Sequence, residues 1–149
     1  MQKEAFQFQI KEDKIETVVR ISQLIPEFSD PPPASKYHER LDGVPHLILV
    51  AYDGDRPIGF KVGYQRENDF YSWMGAILPE FRRKGVAKRL AKAQEKWVKE
   101  LGITSLTFKT RNQHKGMLFF ALKNGFDIIG FKTKENVEEN RILLQKKLK

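Results

Sequence analysis

The 149-residue sequence contains no cysteine, which excludes disulfides, thiolate-held zinc and a thiol nucleophile. Its three histidines, His38, His46 and His114, are scattered without metal-ligand spacing, so no metal is expected. Nowhere do about eighteen apolar residues run together, as a membrane helix requires. The opening Met1-Gln-Lys-Glu-Ala-Phe-Gln7 lacks an apolar signal segment. These absences predict a cytoplasmic protein with no membrane partner. Repeats, low-complexity tracts and linkers are missing too, so residues 1–149 read as one domain.

What is present is a globular composition, 40% hydrophobic and 31% charged, with eleven phenylalanines. The formal net charge of +8 draws polyanions toward the surface. Much of that charge is concentrated at one helix start, which favours a compact phosphate ligand over nucleic acid as its target.

That helix start lies in Tyr71–Leu90. An apolar run ending at Ile77-Leu78 breaks at Pro79 and turns through Arg82-Arg83-Lys84-Gly85-Val86-Ala87-Lys88 into a periodic helix. Amides in the first turn of a helix have no intrahelical partner and carry partial positive charge. A glycine there lets an anion approach them, so the ligand is expected to carry phosphates. Val86, Leu90, Ala93, Trp97 and Leu101 form the predicted buried stripe, Glu95–Lys99 and Lys96–Glu100 are outer i, i+4 pairs, and Gly102 ends the helix.

In chain order the pattern predicts a strand at Ala5–Ile10, a helix at Lys14–Ile25 and a proline-stiffened loop at Ser29–Pro33. A short helix at Ala34–Leu41 follows, then strands at His46–Tyr52, Pro57–Tyr64 and Phe70–Leu78. After the central helix come a strand at Ser105–Thr110, a helix at Lys115–Lys123, and closing strands at Phe126–Thr133 and Arg141–Lys147. A helical crossover makes the Ser105–Thr110 strand parallel to Phe70–Leu78. The class is α+β, a mixed, mostly antiparallel sheet of about six or seven strands flanked by about four helices.

Arg82-x-x-Gly85-x-Ala87, placed between a strand and a helix, resembles the acetyl-CoA signature of the GNAT N-acetyltransferase superfamily. The element order resembles the GNAT fold across the whole chain. A second stretch, Asn112 followed by Met117–Phe126, is similar to the family's downstream coenzyme segment. The resemblance implies an acetyl-CoA-dependent N-acetyltransferase, with an amine acceptor attacking directly in a ternary complex. It places the pyrophosphate on Arg82, Arg83, Lys84, Gly85, Val86, Ala87 and Lys88. It places the pantetheine and acetyl group along Ile77 and Leu78, has Asn112 hydrogen-bond the pantetheine arm, and sets Phe119, Phe120 and Lys123 beside the coenzyme. For Phe119 and Phe120 a plain core role is the competing reading.

The position that often holds a proton-donating Tyr in this family falls on Ala121, beside Phe120. Neither has a proton to give, so Tyr71 or Tyr64 is the candidate acid, or water serves. Glu67 and Asp69, before the Phe70 strand, are candidate bases on position, as are Glu39 and His38. Tyr71 and Trp73 should share one face, with Tyr71 the more open. A homodimer through an unpaired edge strand at Arg141–Lys147 is a further expectation. Two rivals remain: a nucleic-acid-binding or regulatory domain using helix 82–99, and a coenzyme A binder of this fold without catalysis.

Overall fold

The computed structural model describes residues 6–149, and the expected strand residue Ala5 lies outside them. Seven strands form one mixed sheet in the order β1-β2-β3-β4-β5-β7-β6. They are β1 (Gln9–Glu12), β2 (His46–Asp53), β3 (Arg56–Gln65), β4 (Phe70–Ile77), β5 (Ser105–Arg111), β6 (Asp127–Lys132) and β7 (Arg141–Lys147). The helices are α1 (Ile15–Ser22), α2 (Ala34–Leu41), α3 (Val86–Glu100) and α4 (Lys115–Lys123). The α+β class and the strand and helix positions agree with the sequence pattern.

Two departures concern sheet edges. The first strand begins at Gln9, leaving Phe6 and Phe8 ahead of it, because both rings stack on each other at 5.7 Å and Phe6 also meets Phe81. More consequentially, Arg141–Lys147 is not an edge. It hydrogen-bonds β5 on one side and β6 on the other, antiparallel to both. The hairpin at the end of the chain folds its last strand inward, so the edges are β1 and β6 and the expected dimer contact at Arg141–Lys147 has no basis.

The sheet is built of two unequal halves. Between β2, β3 and β4 the register is long and antiparallel. β4 and β5 run parallel and pair only at Phe70 with Leu106 and Tyr71 with Thr107. Beyond Tyr71 the two strands splay, and the edge of β4 from Ser72 onward has no strand partner on that side. A bulge accompanies the splay: Val62 faces Met74 and Gly63 faces Ser72, leaving Trp73 without a register partner. Lys146 of β7 donates to Glu95 of α3 at 2.8 Å, tying the two halves together.

The stripe that seats α3 is rotated from the predicted one. Val86, Leu90, Gln94 and Val98 are buried, Ala93 and Trp97 are partly so, and Leu101 is exposed. Glu95 turns to Lys146 rather than Lys99. Gln94 is fully buried with neither amide atom paired among the described residues, next to Gly63, where a Cβ would lie 3.0 Å from Gln94 Nε2. Gly102 follows the helix with φ 81, the left-handed ending that glycine permits.

Candidate active site

The turn entering α3 has an unusual backbone. After the single 3-10 turn Pro79–Phe81, Arg83 takes φ 63 and Gly85 takes φ 86. A non-glycine residue held left-handed costs about 1–2 kcal/mol, so the surrounding structure must impose Arg83's conformation. Gly85 precedes the first residue of α3, and no side chain caps the helix. The first backbone bond at this end is Arg89 N–H to the Gly85 carbonyl. Among the described residues the amides of Val86, Ala87 and Lys88 therefore have no partner. A Cβ built on Gly85 would meet nothing within 4 Å, so the space beside this glycine is open. Unpartnered helix-start amides of this kind are donors suited to an anion.

The basic residues of the turn are not all free. Arg82 donates through Nε to the Ile77 carbonyl at 3.0 Å and through both terminal nitrogens to Glu27 at 2.8 and 2.9 Å. Lys84 lies 5.1 Å over the Phe6 ring. Arg89 lies 4.3 Å over Phe8 and donates to its carbonyl. Arg83 and Lys88 are exposed and form no ion pair with the described residues. Glu27, which sequence reasoning passed over, has its carboxyl held below the usual range by its bonds to Arg82.

Ile77 is half-buried and Leu78 buried. The Leu78 amide already donates to the Ile58 carbonyl at 2.9 Å. The side of β4 beyond Tyr71, with no strand partner there, is where this strand's unclaimed main-chain groups lie. Asn112 is also engaged, donating to the Val137 carbonyl and accepting from Lys115 Nζ at 2.9 Å, which ties the end of β5 to the loop before β7.

In α4 the core reading of Phe119 fails: the ring is 73% exposed, while Phe120 is half-buried. Lys123 is exposed at the helix end. Ala121 is the buried residue of this helix, at 1% exposure, so a side chain at that position packs into protein rather than facing the cleft.

On the opposite face of the splay, α2 and the sheet assemble an aromatic cluster. Tyr71 meets Tyr64 edge-on at 5.7 Å, and Trp73 meets Tyr64 at 6.0 Å and Tyr37 at 4.9 Å. Tyr71 and Trp73 share this face as expected, but their openness is reversed. Tyr71 is 9% exposed and Trp73 is the more open, because the bulge lifts Trp73 outward. Burial raises the Tyr71 phenol above its usual range, keeping it protonated, and Arg66 and Arg40 pull the other way.

Asp69 accepts from Arg66 Nε at 2.8 Å and Nη2 at 2.6 Å, which lowers its carboxyl below the ordinary value. Held in this way it is a weak base. Glu67 is exposed and lines a shallow depression with Gln65, Asn68, Asp69 and Gly102–Thr104, at the end of β4 away from Gly85. On α2, His38 faces Asp42 at 3.4 Å and Glu39 faces Lys36 at 3.8 Å, both exposed. His46 contacts the Val44 carbonyl and His114 precedes α4. No group of three potential metal ligands and no helix long and apolar enough to cross a membrane occurs among the described residues.

The mixed sheet parted between two parallel strands, with an uncapped helix start following β4, is here the fold of an acyltransferase class. The model of the acetyltransferase (GNAT) family matches residues 15–126, and the chain belongs to that family. The fold resembles the ribosomal-protein-S18-alanine N-acetyltransferase of Escherichia coli, with a TM-score of 0.82 at 12% identity over 95% of this chain and 94% of that one. It resembles Ard1 of Thermoplasma volcanium with a TM-score of 0.81 at 17% identity, covering 95% and 98%. It also resembles the PaiA N-acetyltransferase of Thermoplasma acidophilum, solved with coenzyme A, with a TM-score of 0.72 at 18% identity, covering 95% and 99%. No curated protein matches the sequence.

Proposed function

We propose that this protein moves the acetyl group of acetyl-coenzyme A onto a primary amine by direct attack in a ternary complex. One observation carries the reading: the open amides of Val86, Ala87 and Lys88, set behind left-handed Arg83 and Gly85 at the mouth of the splay. These amides would hold the pyrophosphate, with Arg83 and Lys88 beside it, while exposed Phe119 and Lys123 border the coenzyme. When bound, the coenzyme supplies an activated thioester.

The rest is done by the chain and the acceptor. The partnerless edge of β4 positions the carbonyl within the splay. An amine nitrogen, having lost its ammonium proton to solvent, donates its lone pair to the carbonyl carbon. The C–S bond breaks with its electron pair going to sulfur, and the remaining extra proton leaves nitrogen. Tyr71, protonated and beside the opening, is the candidate donor of a proton to the thiolate, then regains one from solvent. Asp69 serves by fixing Arg66 and the start of β4, and Glu67 remains a candidate for taking up the acceptor's proton through water.

The nucleic-acid rival is weakened by Arg82, Lys84 and Arg89, whose cationic heads are held by Glu27, Phe6 and Phe8. Calorimetry and thermal melting with acetyl-CoA, coenzyme A and a random oligonucleotide at two salt concentrations test the reading. Acetyl-CoA should stabilise the fold by about 2.7 kcal/mol at a hundredfold excess over Kd. Thiol release with an amine panel then follows. Oligonucleotide binding alone, collapsing with salt, overturns the proposal.

A further inference from the structure

Resting on that reading, we infer that the acceptor is an amine that also carries an anionic group, recognised by a cationic rim around Tyr64, Tyr71 and Trp73. The rim converges from three elements. Arg40 of α2 stands 5.0 Å over the Trp73 ring and donates to the Tyr64 hydroxyl at 2.9 Å. Lys109 of β5 lies 5.9 Å from the Tyr71 ring centre, and Arg66 covers the same ring at 4.5 Å. Arg141 of β7 pulls the Tyr71 phenol down, against the rise that burial causes. Arg111 stands opposite Arg141 in the β5–β7 register, two residues beyond Lys109 on the same strand face.

The charge balance on this face is one-sided. Asp69 neutralises Arg66. Arg40, Lys109, Arg111 and Arg141 are exposed, and none forms an ion pair with a described residue. The acidic stretch Glu135–Glu139 is docked by the Asn112 side-chain amide on the Val137 carbonyl and the Gln113 backbone amide on the Glu138 carbonyl, and reaches none of the four in an ion pair. An anion arriving beside Tyr71 and Trp73 would be attracted by Arg40 and Lys109 together, with Arg111 and Arg141 further along the same side.

The splay opens beside this patch, because β4 and β5 part immediately after Tyr71 and Thr107. An acceptor reaching a thioester in the splay from this side passes the rim. A carboxylate or phosphate on the acceptor would bind Arg40 and its neighbours, with Arg suited to two-pronged contact. The same cations disfavour an ammonium, lowering the acceptor's pKa toward the neutral nucleophile. A polyamine has no anion to offer and is repelled.

The test compares matched acceptors under saturating acetyl-CoA: an amino acid with its carboxamide, phosphoethanolamine with ethanolamine, a tripeptide with acidic or neutral side chains, and spermidine. The anionic member of at least one pair should show kcat/KM about tenfold or more above its neutral counterpart at low salt, and the margin should shrink with salt. Which pair shows it distinguishes carboxylate from phosphate. Arg40→Gln and Lys109→Gln should each narrow the margin about threefold or more through KM, while Arg40→Lys keeps part of it and acetyl-CoA affinity stays fixed. Thiol release favouring neutral or cationic amines overturns this inference and leaves the transferase reading intact. Release with none of the amines, despite coenzyme binding, overturns both.

Discussion

Arg82 and Glu27 lock two loops together: both terminal nitrogens of the guanidinium meet both carboxylate oxygens, at 2.8 and 2.9 Å, while Nε holds the Ile77 carbonyl. Arg82 thereby fixes the turn that forces Arg83 left-handed and presents the α3 amides. Its charge is already matched by Glu27, so on the proposed reading it would help phosphate binding through geometry rather than charge. Glu27→Gln should weaken acetyl-CoA binding by about threefold, since a loosened turn raises the cost of organising the amides. An increase in affinity would mean that a freed Arg82 binds phosphate directly. Because its carboxyl is lowered, Glu27 adds stability above the unfolded value of 4.5 and loses it as pH falls below that.

Gly85 separates strain from occupancy. Gly85→Ala meets no atom within 4 Å and suffers only from φ 86, costing about 1–2 kcal/mol of stability. Gly85→Glu adds a carboxylate over the amides and should abolish coenzyme binding by calorimetry while adding little further loss of stability. Equal coenzyme affinity in the wild type and the Glu variant would remove the cradle from the site.

Lys61 of β3 lies half-buried opposite Leu49 and Gly75, and burial pushes its ammonium down to about 8, partly offset by Glu95. The unfolded chain holds this proton up to its ordinary 10.5, so stability rises as pH goes from about 8 to 10.5. Lys61→Met should stabilise the protein at pH 7 by about 1–3 kcal/mol. The gain should fade by pH 10.5 in melting curves; a constant gain would show that Lys61 is solvated.

Tyr71→Phe retains the ring contacts with Tyr64 and Arg66 and removes only the hydroxyl. If the phenol protonates sulfur, kcat falls about tenfold to a hundredfold and the alkaline limb of the pH–rate profile moves. Unchanged turnover would leave water as the proton donor. Asp69→Asn should instead cost about 1–2 kcal/mol of stability through the Arg66 bonds and leave the acid limb in place. Its stabilising effect is present above pH 3.8 and lost as pH falls lower.

Local periodicity carried most of the element boundaries, because each strand and helix advertises its own period. The order of the last two strands is different in kind. β6 and β7 have similar apolar content, and only three-dimensional packing decides that β7 turns inward. The Tyr71–Trp73 reversal has a similar origin, since alternation cannot see a bulge. The Arg82-x-x-Gly85 spacing pointed to the turn with the unpartnered α3 amides, but nothing local foretold that Glu27, fifty-five residues away, would claim the arginine. The cationic rim was invisible for the same reason: Arg40, Lys109 and Arg141 meet only through α2, β5 and β7.

The two rungs joining β4 to β5 leave that seam of the sheet fastened by backbone bonds at one end only. Opening there breaks few backbone bonds, so amides lining the parted edges should exchange with deuterium well before those of β2 and β3.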